Sequence, residues 1–396
     1  MSPRDVVITG IGLVSSLGEG NDAHWEKMTA DQPAPVIDAE RFAPFTVHPL
    51  PEIDWSLQIA KRGDQRQMET WQRLGTYVAG LALDDAGMKG DESLCATMDM
   101  IVAAGGGERD IQVDNTILNA KAKGNAPPGF LNERLMSDLR PTLFLAQLSN
   151  LLAGNIAIVH GVCGTSRTFM GEEAAGFDAA RIALARIAAG QSDIALIGGS
   201  HNGERKDLLV LYEFGDYCLR DKFAPVWQRK DNKGFAIGST GAFLVIESKA
   251  HATARGARPF ARLTRVVSDR SHRRAASDIT ESLRKLWSSL GEIRDGSAIL
   301  TGATGAEPVT SEERAFLGEH PNLPVRATGT RFGHNLDAQF TLGLALAALS
   351  ISRGTLFPPG DSSGVEIEMK EAPTQIVVIG AGHWRGEGMA LVEAVG

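Results

Sequence analysis

Short runs of apolar, often β-branched residues recur along the chain, and most of them end in glycine. Six such runs lie at residues 6–10, 100–105, 194–199, 242–247, 298–302 and 376–380. Longer stretches between some of them, notably 67–86 and 172–189, have the composition and spacing of helices. Strands that alternate with helices and end in glycine predict an α/β fold with mainly parallel sheets.

The two halves of the chain resemble each other. MIVAAGGG at 100–107 corresponds to AILTGATG at 298–305. Each is followed by a helix rich in small residues, at 171–187 or 333–349, and then by another strand. This repeat predicts two similar layered halves with a boundary near the polar stretch 268–278. On the pattern alone, one unrepeated doubly wound sheet is the alternative.

Composition narrows the class of protein. A net charge of −8 over 396 residues argues against nucleic acid as the main partner. Cys95, Cys163 and Cys218 have no short spacing, which excludes a disulfide framework and a cysteine-based metal site. The most apolar segment, 340–351, is too short to span a bilayer and predicts a buried helix. With no signal peptide before the first strand, a cytoplasmic location is expected.

Three long stretches carry a family resemblance. VVITGIGLVSSLGEG at 6–20, the segment 238–263 and the segment 330–359 are similar to β-ketoacyl-[acyl-carrier-protein] synthases (ketosynthases). The resemblance runs from about residue 5 to the C-terminus. It implies a five-layered α-β-α-β-α thiolase fold with halves at 1–250 and 251–396. Cap insertions are expected at about 107–150 and 200–235.

Ketosynthases need a cysteine nucleophile at the start of a buried helix, where the helix N-terminus favours a thiolate. Counting back without gaps from Gly198 and Gly199 places Glu173 at that position. A carboxylate is poorly suited to hold an acyl group, because the mixed anhydride would hydrolyse readily. The alternative reading, a capping glutamate on an alanine-rich helix, is compatible with a degenerate site.

The other catalytic positions of the family are also changed. The resemblance puts Thr301 at the first histidine and Gly329 at the lysine, while the second histidine is retained as His334. A buried structural role is the alternative reading for His334. The two threonines that bind pantetheine in the family become Ala303 and Gly305.

The C-terminal motifs differ as well. The Gly-Ala-Ala-Gly that follows the second histidine in the family reads 337–340 Asp-Ala-Gln-Phe. The Gly-Phe-Gly-Gly that gates the acyl pocket reads Gly-Ala-Gly-His, so Ala381 and Gly382 take the gate and oxyanion positions, followed by His383. Together these replacements predict a protein that does not condense acyl chains by itself.

Two cysteines are false candidates for the nucleophile. The same ungapped comparison places Cys163 in a turn before a strand, and Cys95 precedes the strand at 100–105. The string GEEAAGFDA at 171–179 is instead similar to chain-length factors, the noncatalytic ketosynthase partners of aromatic polyketide systems. In those proteins the cysteine has become glutamine.

Two surfaces are expected to remain in use. Lys61, Arg62 and Arg66 lie where the family has a basic cluster that meets the acyl carrier protein; a solvated helix start is the alternative. The strand at 165–170, including Arg167 and Phe169, corresponds to the strand that pairs across the family's dimer axis.

The preferred hypothesis is an accessory or chain-length-determining partner of an active ketosynthase, working as a heterodimer or as a homodimer. The whole chain also resembles a ketosynthase-like protein that alphaproteobacteria encode for the very-long-chain fatty acids of lipid A. A malonyl-carrier decarboxylase and an active synthase using Cys163 are the alternatives. No resident cofactor or metal is expected; the acyl-phosphopantetheine of the carrier is the candidate ligand.

Overall fold

The computed structural model describes residues 4–220, 222–229, 233–270 and 272–396. The strands are β1 (Val6–Ser15), β2 (Gly18–Glu19), β3 (Val47–His48), β4 (Asp99–Ala103), β5 (Ser166–Phe169), β6 (Ile194–His201), β7 (Ile237–Gly238), β8 (Thr240–Ser248), β9 (Ala261–Asp269), β10 (Ser297–Thr301), β11 (Val325–Ala327), β12 (Gln375–Ala381) and β13 (Glu387–Glu393). Each of the six predicted runs overlaps one of these strands.

The helices are α1 (Asn21–Met28), α2 (Arg62–Gln67), α3 (Thr70–Asp85), α4 (Glu92–Thr97), α5 (Ile111–Ala122), α6 (Phe130–Ser137), α7 (Leu143–Ala146), α8 (Leu151–His160), α9 (Glu173–Ala188), α10 (Lys206–Phe214), α11 (Lys249–Ala254), α12 (Ser277–Ser288), α13 (Val309–Leu317), α14 (Gly329–Phe332) and α15 (Gln339–Arg353). Short 3-10 turns lie at Trp55–Leu57, Val226–Gln228 and Leu336–Ala338.

The strand order repeats itself. One half of the main sheet has the order β5-β4-β6-β8-β1 and the other has β11-β10-β12-β13-β9. We leave out the two-residue strands β2, β3 and β7 and number the five strands of each half separately in chain order. Both halves then have the same order across the sheet, 3-2-4-5-1. The halves meet where β1 pairs with β9. This shared topology confirms two similar halves.

The boundary suggested by the polar stretch 268–278 is wrong, because β9, the first strand of the second half, runs to Asp269. The first half's last strand, β8, ends at Ser248 and β9 begins at Ala261. The division at residue 250 and the cap insertions stay predictions of the family resemblance.

The expectation of mainly parallel sheets is also wrong, since the sheet is mixed. β4 and β10 run parallel to both of their neighbours. In contrast, β1 pairs antiparallel with both β8 and β9, and β9 pairs antiparallel with β13. One reason is local: β12 and β13 are joined by a loop of a few residues, and so short a connection permits only an antiparallel pair.

Three hydrophobic clusters define the five predicted layers. Helices α9 and α15 lie between the two halves of the sheet, α3 and α8 cover the outer face of the first half, and α12 and α13 that of the second. Alternate residues of β4 face different clusters: Ile101 faces the central one, while Met100 and Val102 face the outer one. The five-layered α/β architecture is therefore confirmed.

Two helix predictions differ in outcome. The apolar segment 340–351 lies within α15 and is buried from Gln339 to Ile351, as expected. The long helix expected at 67–86 instead begins at Thr70, because the side chain of Glu69 and that of Gln72 form a capping box there. Among the described residues, no helix is long and apolar enough to cross a membrane.

Candidate functional site

Glu173 is the first residue of helix α9 and is 3% exposed. The residue before it, Glu172, has φ 57°, a left-handed conformation that is uncommon for a residue other than glycine. This turn brings the chain from β5 into the helix between the sheets. The helix N-terminus favours the negative charge of the Glu173 carboxylate.

His334 reaches the same point from the second half of the chain. Its backbone N–H donates to Ala236 O at 2.8 Å, and its ring stacks on Phe235 with the centroids 4.1 Å apart. Gly333 before it has φ 72°, and a Cβ there would lie 2.6 Å from Ala236 O. The ring is thus held with Nε2 3.0 Å from Oε1 of Glu173.

His383 is the third member of the cluster, and the sequence reasoning did not propose a role for it. It lies in the loop between β12 and β13, where Nδ1 donates to Oε1 of Glu173 at 2.8 Å and the backbone N–H donates to the same oxygen at 3.2 Å. The sequence offered one signal for a role of His383: a titratable histidine ends the Gly-Ala-Gly-His motif, where the family resemblance leads one to expect glycine.

The three groups shift one another's pKa. Burial favours the neutral carboxyl of Glu173, but the attraction of His383 and His334 outweighs it and holds the pKa well below its usual range. Burial also opposes charge on His383, yet Glu173 raises its pKa. For His334 burial prevails and lowers the pKa. The cluster is therefore best described as a carboxylate paired with a charged His383 and a neutral His334.

Thr301, which the resemblance predicts at the first-histidine position, ends β10. It lines, together with Glu173 and His334, a cavity with room for about one water molecule. Its hydroxyl donates to the carboxylate of Glu313 on α13. Burial raises the pKa of Glu313 to about 7. A threonine hydroxyl held in this way cannot supply the imidazole that the family uses.

Close packing excludes larger side chains at two of the replaced positions. At Gly329, a Cβ would lie 2.3 Å from Ala303 O, so this position has no room for a lysine. At Gly305, which has φ 97°, a Cβ would lie 2.4 Å from Gly234 O and 2.5 Å from Nη1 of Arg229. A threonine does not fit there either.

The gate positions pack against Glu173. Ala381 ends β12 and lines the small cavity beside Glu173. A Cβ on Gly382 would lie 2.2 Å from Arg385 O and 3.1 Å from Oε2 of Glu173. The hairpin that carries His383 is closed by a hydrogen bond from Gly382 N–H to Gly386 O at 2.8 Å.

Asp337 adds a second acidic group to this region. It is fully enclosed, and burial followed by the charges of Glu173 and Glu172 raises its pKa to about 8. With His201, Asn202 and Arg205 it lines a cavity of about 530 Å³ on the side of α10. The walls of this cavity are mixed, because Leu208, Leu211 and Leu336 line it together with these polar groups.

The cysteines lie elsewhere. Cys163 is exposed in the loop between α8 and β5, where its N–H donates to Cys95 O at 3.0 Å. Cys95 is buried in α4, and Cys218 is buried beside Leu209. In the described part of the chain, the groups that surround His334 include Glu173 and not Cys163.

The two predicted surfaces are exposed. Lys61 precedes α2, Arg62 begins it and Arg66 lies in its last turn; no ion pair seen among the described residues involves them. β5 lies at one end of the main sheet, with Arg167 exposed and Phe169 half-buried against the central cluster. The backbone of an end strand is free to pair with another strand.

Comparison with known proteins identifies the family. Residues 3–252 match the family model of the beta-ketoacyl synthase N-terminal domain. The chain is 26% identical over 273 residues to 3-oxoacyl-[acyl-carrier-protein] synthase 2 of Vibrio cholerae, a match covering 66% of this chain and 62% of that protein. It is 25% identical over 406 residues to the synthase of the same name from Rhizobium meliloti, covering 93% and 92%.

A solved structure supports the fold. The ishigamide ketosynthase/chain length factor superposes with a TM-score of 0.80 at 20% identity and covers 100% of both chains. The family model itself matches well over half of the sequence. The chain therefore belongs to the beta-ketoacyl synthase family.

Proposed function

We propose that this protein is a condensation-deficient partner of an active β-ketoacyl-[acyl-carrier-protein] synthase in fatty-acid biosynthesis. The observation that carries the proposal is the buried carboxylate of Glu173 at the nucleophile position, held by His334 and His383. Condensation needs a group there that accepts an acyl chain from a thioester and keeps it. A carboxylate would form a mixed anhydride, which water cleaves readily.

The surroundings of Glu173 support the same reading. The Thr301 hydroxyl is bound to Glu313, and Gly329 lies too close to Ala303 to admit the lysine of the family. Restoring a cysteine alone would therefore leave the other catalytic groups missing.

The proposed role in chain length rests on the cavity beside Asp337. Its walls combine leucine side chains with the polar groups of His201, Asn202, Arg205 and Asp337. An aliphatic chain that filled the whole cavity would desolvate these polar groups without hydrogen-bonding to them, which is costly. The growing chain is therefore expected to occupy the partner's pocket, and this protein is expected to form part of its wall.

Pairing through β5 would place this protein against the partner's acyl pocket. An end strand with an exposed backbone can extend the sheet of a second subunit. A heterodimer with an active ketosynthase is the form we propose; a homodimer is the competing outcome. One solved relative of this fold is described as a ketosynthase/chain length factor.

The exposed cations Lys61, Arg62 and Arg66 are the proposed contact for an acyl carrier protein. Clustered positive charge steers an acidic partner even when the net charge of the whole chain is −8. Several relatives are named 3-oxoacyl-[acyl-carrier-protein] synthase 2. We extend the proposal to the acyl-phosphopantetheine of the carrier as the ligand. The cytoplasm is the proposed location, and very-long-chain acids of lipid A are the proposed product.

Decarboxylation of a malonyl carrier is the second function considered, and the site disfavours it. The malonyl carboxylate would have to approach the ionised carboxylate of Glu173, with the carboxyl of Glu172 close by. Like charges at short distance in a buried site repel strongly. Condensation through Cys163 is disfavoured because that residue is exposed and lies outside the Glu173 cluster.

Co-expression with the ketosynthase encoded nearby tests the proposal. We expect a heterodimer on size exclusion, and we expect Phe169→Ala to shift the lengths of its products, because bulk on β5 would limit the partner's channel. Glu173→Ala should leave condensation by the assembled heterodimer largely intact, since the chemistry belongs to the partner.

Arg284→Ala is the control for Phe169→Ala, because Arg284 is exposed on α12, away from β5. Loss of product in Glu173→Ala, with the heterodimer still assembled, would mean that this subunit contributes catalysis. That result would overturn the accessory role.

A further inference from the structure

Donor atoms from three separate parts of the chain converge at the centre of the site. Oε1 of Glu173 lies 3.0 Å from Nε2 of His334 and 2.8 Å from Nδ1 of His383, and all three atoms lie within 4.8 Å of one another. We infer that these residues form a binding site for a divalent transition-metal ion, with zinc as the ion that the donors suit. The inference goes beyond the proposed function and does not depend on it.

The donor set is one that zinc uses. Two imidazole nitrogens and one carboxylate oxygen, with a fourth position left to water, form a recurrent zinc coordination. Bonds of about 2.0–2.2 Å place neighbouring ligand atoms of a four-coordinate ion roughly 3.4 Å apart. The distances from Glu173 to the two imidazoles are a few tenths of an ångström shorter than this. An ion would move the Glu173 carboxylate slightly away from both imidazoles, draw together the two imidazole nitrogens, which lie within 4.8 Å of each other, and replace the proton on Nδ1 of His383.

The hydrogen bonding of the cluster is incomplete without a further partner. Oε2 of Glu173 and both ring nitrogens of His334 are buried and make no hydrogen bond to the described residues. Nε2 of His334 approaches Glu173 closely but without the alignment of a hydrogen bond. Buried polar atoms left unpaired in this way are costly, and a bound ion or water is a usual reason for them. The cavity for one water beside Glu173 and His334 offers the fourth position.

A second carboxyl and a cavity open to solvent adjoin the cluster. Glu172 lies close to Glu173, while Arg385 lies near Glu172 and Arg273 near His383. Asp337, which stays protonated up to about pH 8, adds no negative charge at neutral pH. A cavity of about 540 Å³ is lined by Glu172 and His383 and reaches the surface beside Trp384, which is 65% exposed. An ion can therefore approach His383 from solvent.

Binding would link three parts of the fold through one ion. The ion would tie the β12–β13 hairpin, through His383, to the start of α9 and to the loop after α14. An ion that binds only the folded chain stabilises it by mass action. A rise in the thermal unfolding midpoint should therefore accompany binding.

The test uses the full chain, stripped of metal with a chelator and then titrated with Zn²⁺ and separately with Co²⁺. We expect one equivalent of Zn²⁺ by calorimetry, a higher unfolding midpoint, and the visible absorption bands of four-coordinate Co²⁺. His383→Phe keeps an aromatic ring beside Tyr217 but removes a ligand. It should weaken Zn²⁺ binding more than about 100-fold, since loss of supporting groups alone costs 10–100-fold.

Glu173→Gln is the second variant, which retains the shape of the side chain and should also weaken binding and abolish the Co²⁺ bands. His320→Phe is the matched control, because His320 stacks on Trp287, away from the cluster. It should bind Zn²⁺ like the unmodified chain. Absence of stoichiometric binding, or equal binding by His383→Phe and the unmodified chain, would overturn the inference.

Discussion

Asp337→Asn is expected to stabilise the protein, with the largest gain near pH 8. Asp337 is enclosed next to Glu173, and burial is the main cause that raises its pKa from 3.8 to about 8. In the unfolded chain this carboxyl ionises near pH 4, whereas in the folded chain it stays protonated up to about pH 8. Between these values the folded state binds the extra proton, so stability falls as pH rises. Asparagine cannot ionise and removes this loss, on the order of several kcal/mol at pH 8.

Urea unfolding of both proteins at pH 5 and pH 8 measures the effect. The gain in the free energy of unfolding should be greater at pH 8 than at pH 5. Asp295→Asn, at an exposed position, is the control and should change stability little at either pH. An Asp337→Asn variant with the same pH dependence as the unmodified protein would show that this carboxyl is already ionised in the folded state.

Glu173→Gln is expected to have the opposite effect and to destabilise the protein by on the order of 3 kcal/mol, because it leaves buried imidazoles without their charge partner. The sign follows from two pKa shifts. Because the pKa of Glu173 is lowered in the folded chain, its carboxylate stabilises the fold above pH 4.5, and this stabilisation is lost as pH falls. Because the pKa of His383 is raised in the folded chain, its charged imidazole stabilises the fold below pH 6.5. This stabilisation is lost as pH rises through the pKa of His383 in the folded chain.

The difference in the free energy of unfolding between the unmodified protein and Glu173→Gln should therefore be largest between about pH 4.5 and pH 6.5 and should shrink at alkaline pH. Denaturant unfolding across this range, with chelator present throughout, is the measurement. Glu319→Gln removes an exposed ion pair with Arg284 and should cause only a small change. A difference that grows above pH 8 would contradict the pairing of Glu173 with a charged His383.

The sequence alone predicted the layers and part of the cluster. Glu173 could be placed because a helix and a strand of defined length separate it from Gly198, so counting without gaps was sufficient. His334 could be placed because the segment 330–359 resembles the family's stretch around the second histidine. Both predictions depended on a family pattern and on local spacing, which a single sequence records directly.

Other features depend on contacts between distant segments. His383 meets Glu173 only because the β12–β13 hairpin folds over the start of α9, and a motif in which a glycine has become histidine does not reveal that contact. The exclusion of side chains at Gly329 arises from Ala303, which precedes it by 26 residues. The antiparallel strands were missed because apolar runs give no strand direction.

The central claim is that this protein does not condense acyl chains. Its most direct test is intact-mass analysis after incubation with acyl- and malonyl-carrier substrates. Because Glu173 is predicted at the nucleophile position and Cys163 is exposed outside the Glu173 cluster, we predict a mass equal to that of the unmodified chain and no β-ketoacyl product. A stable acyl adduct on Cys163, located by peptide mapping, would contradict the account.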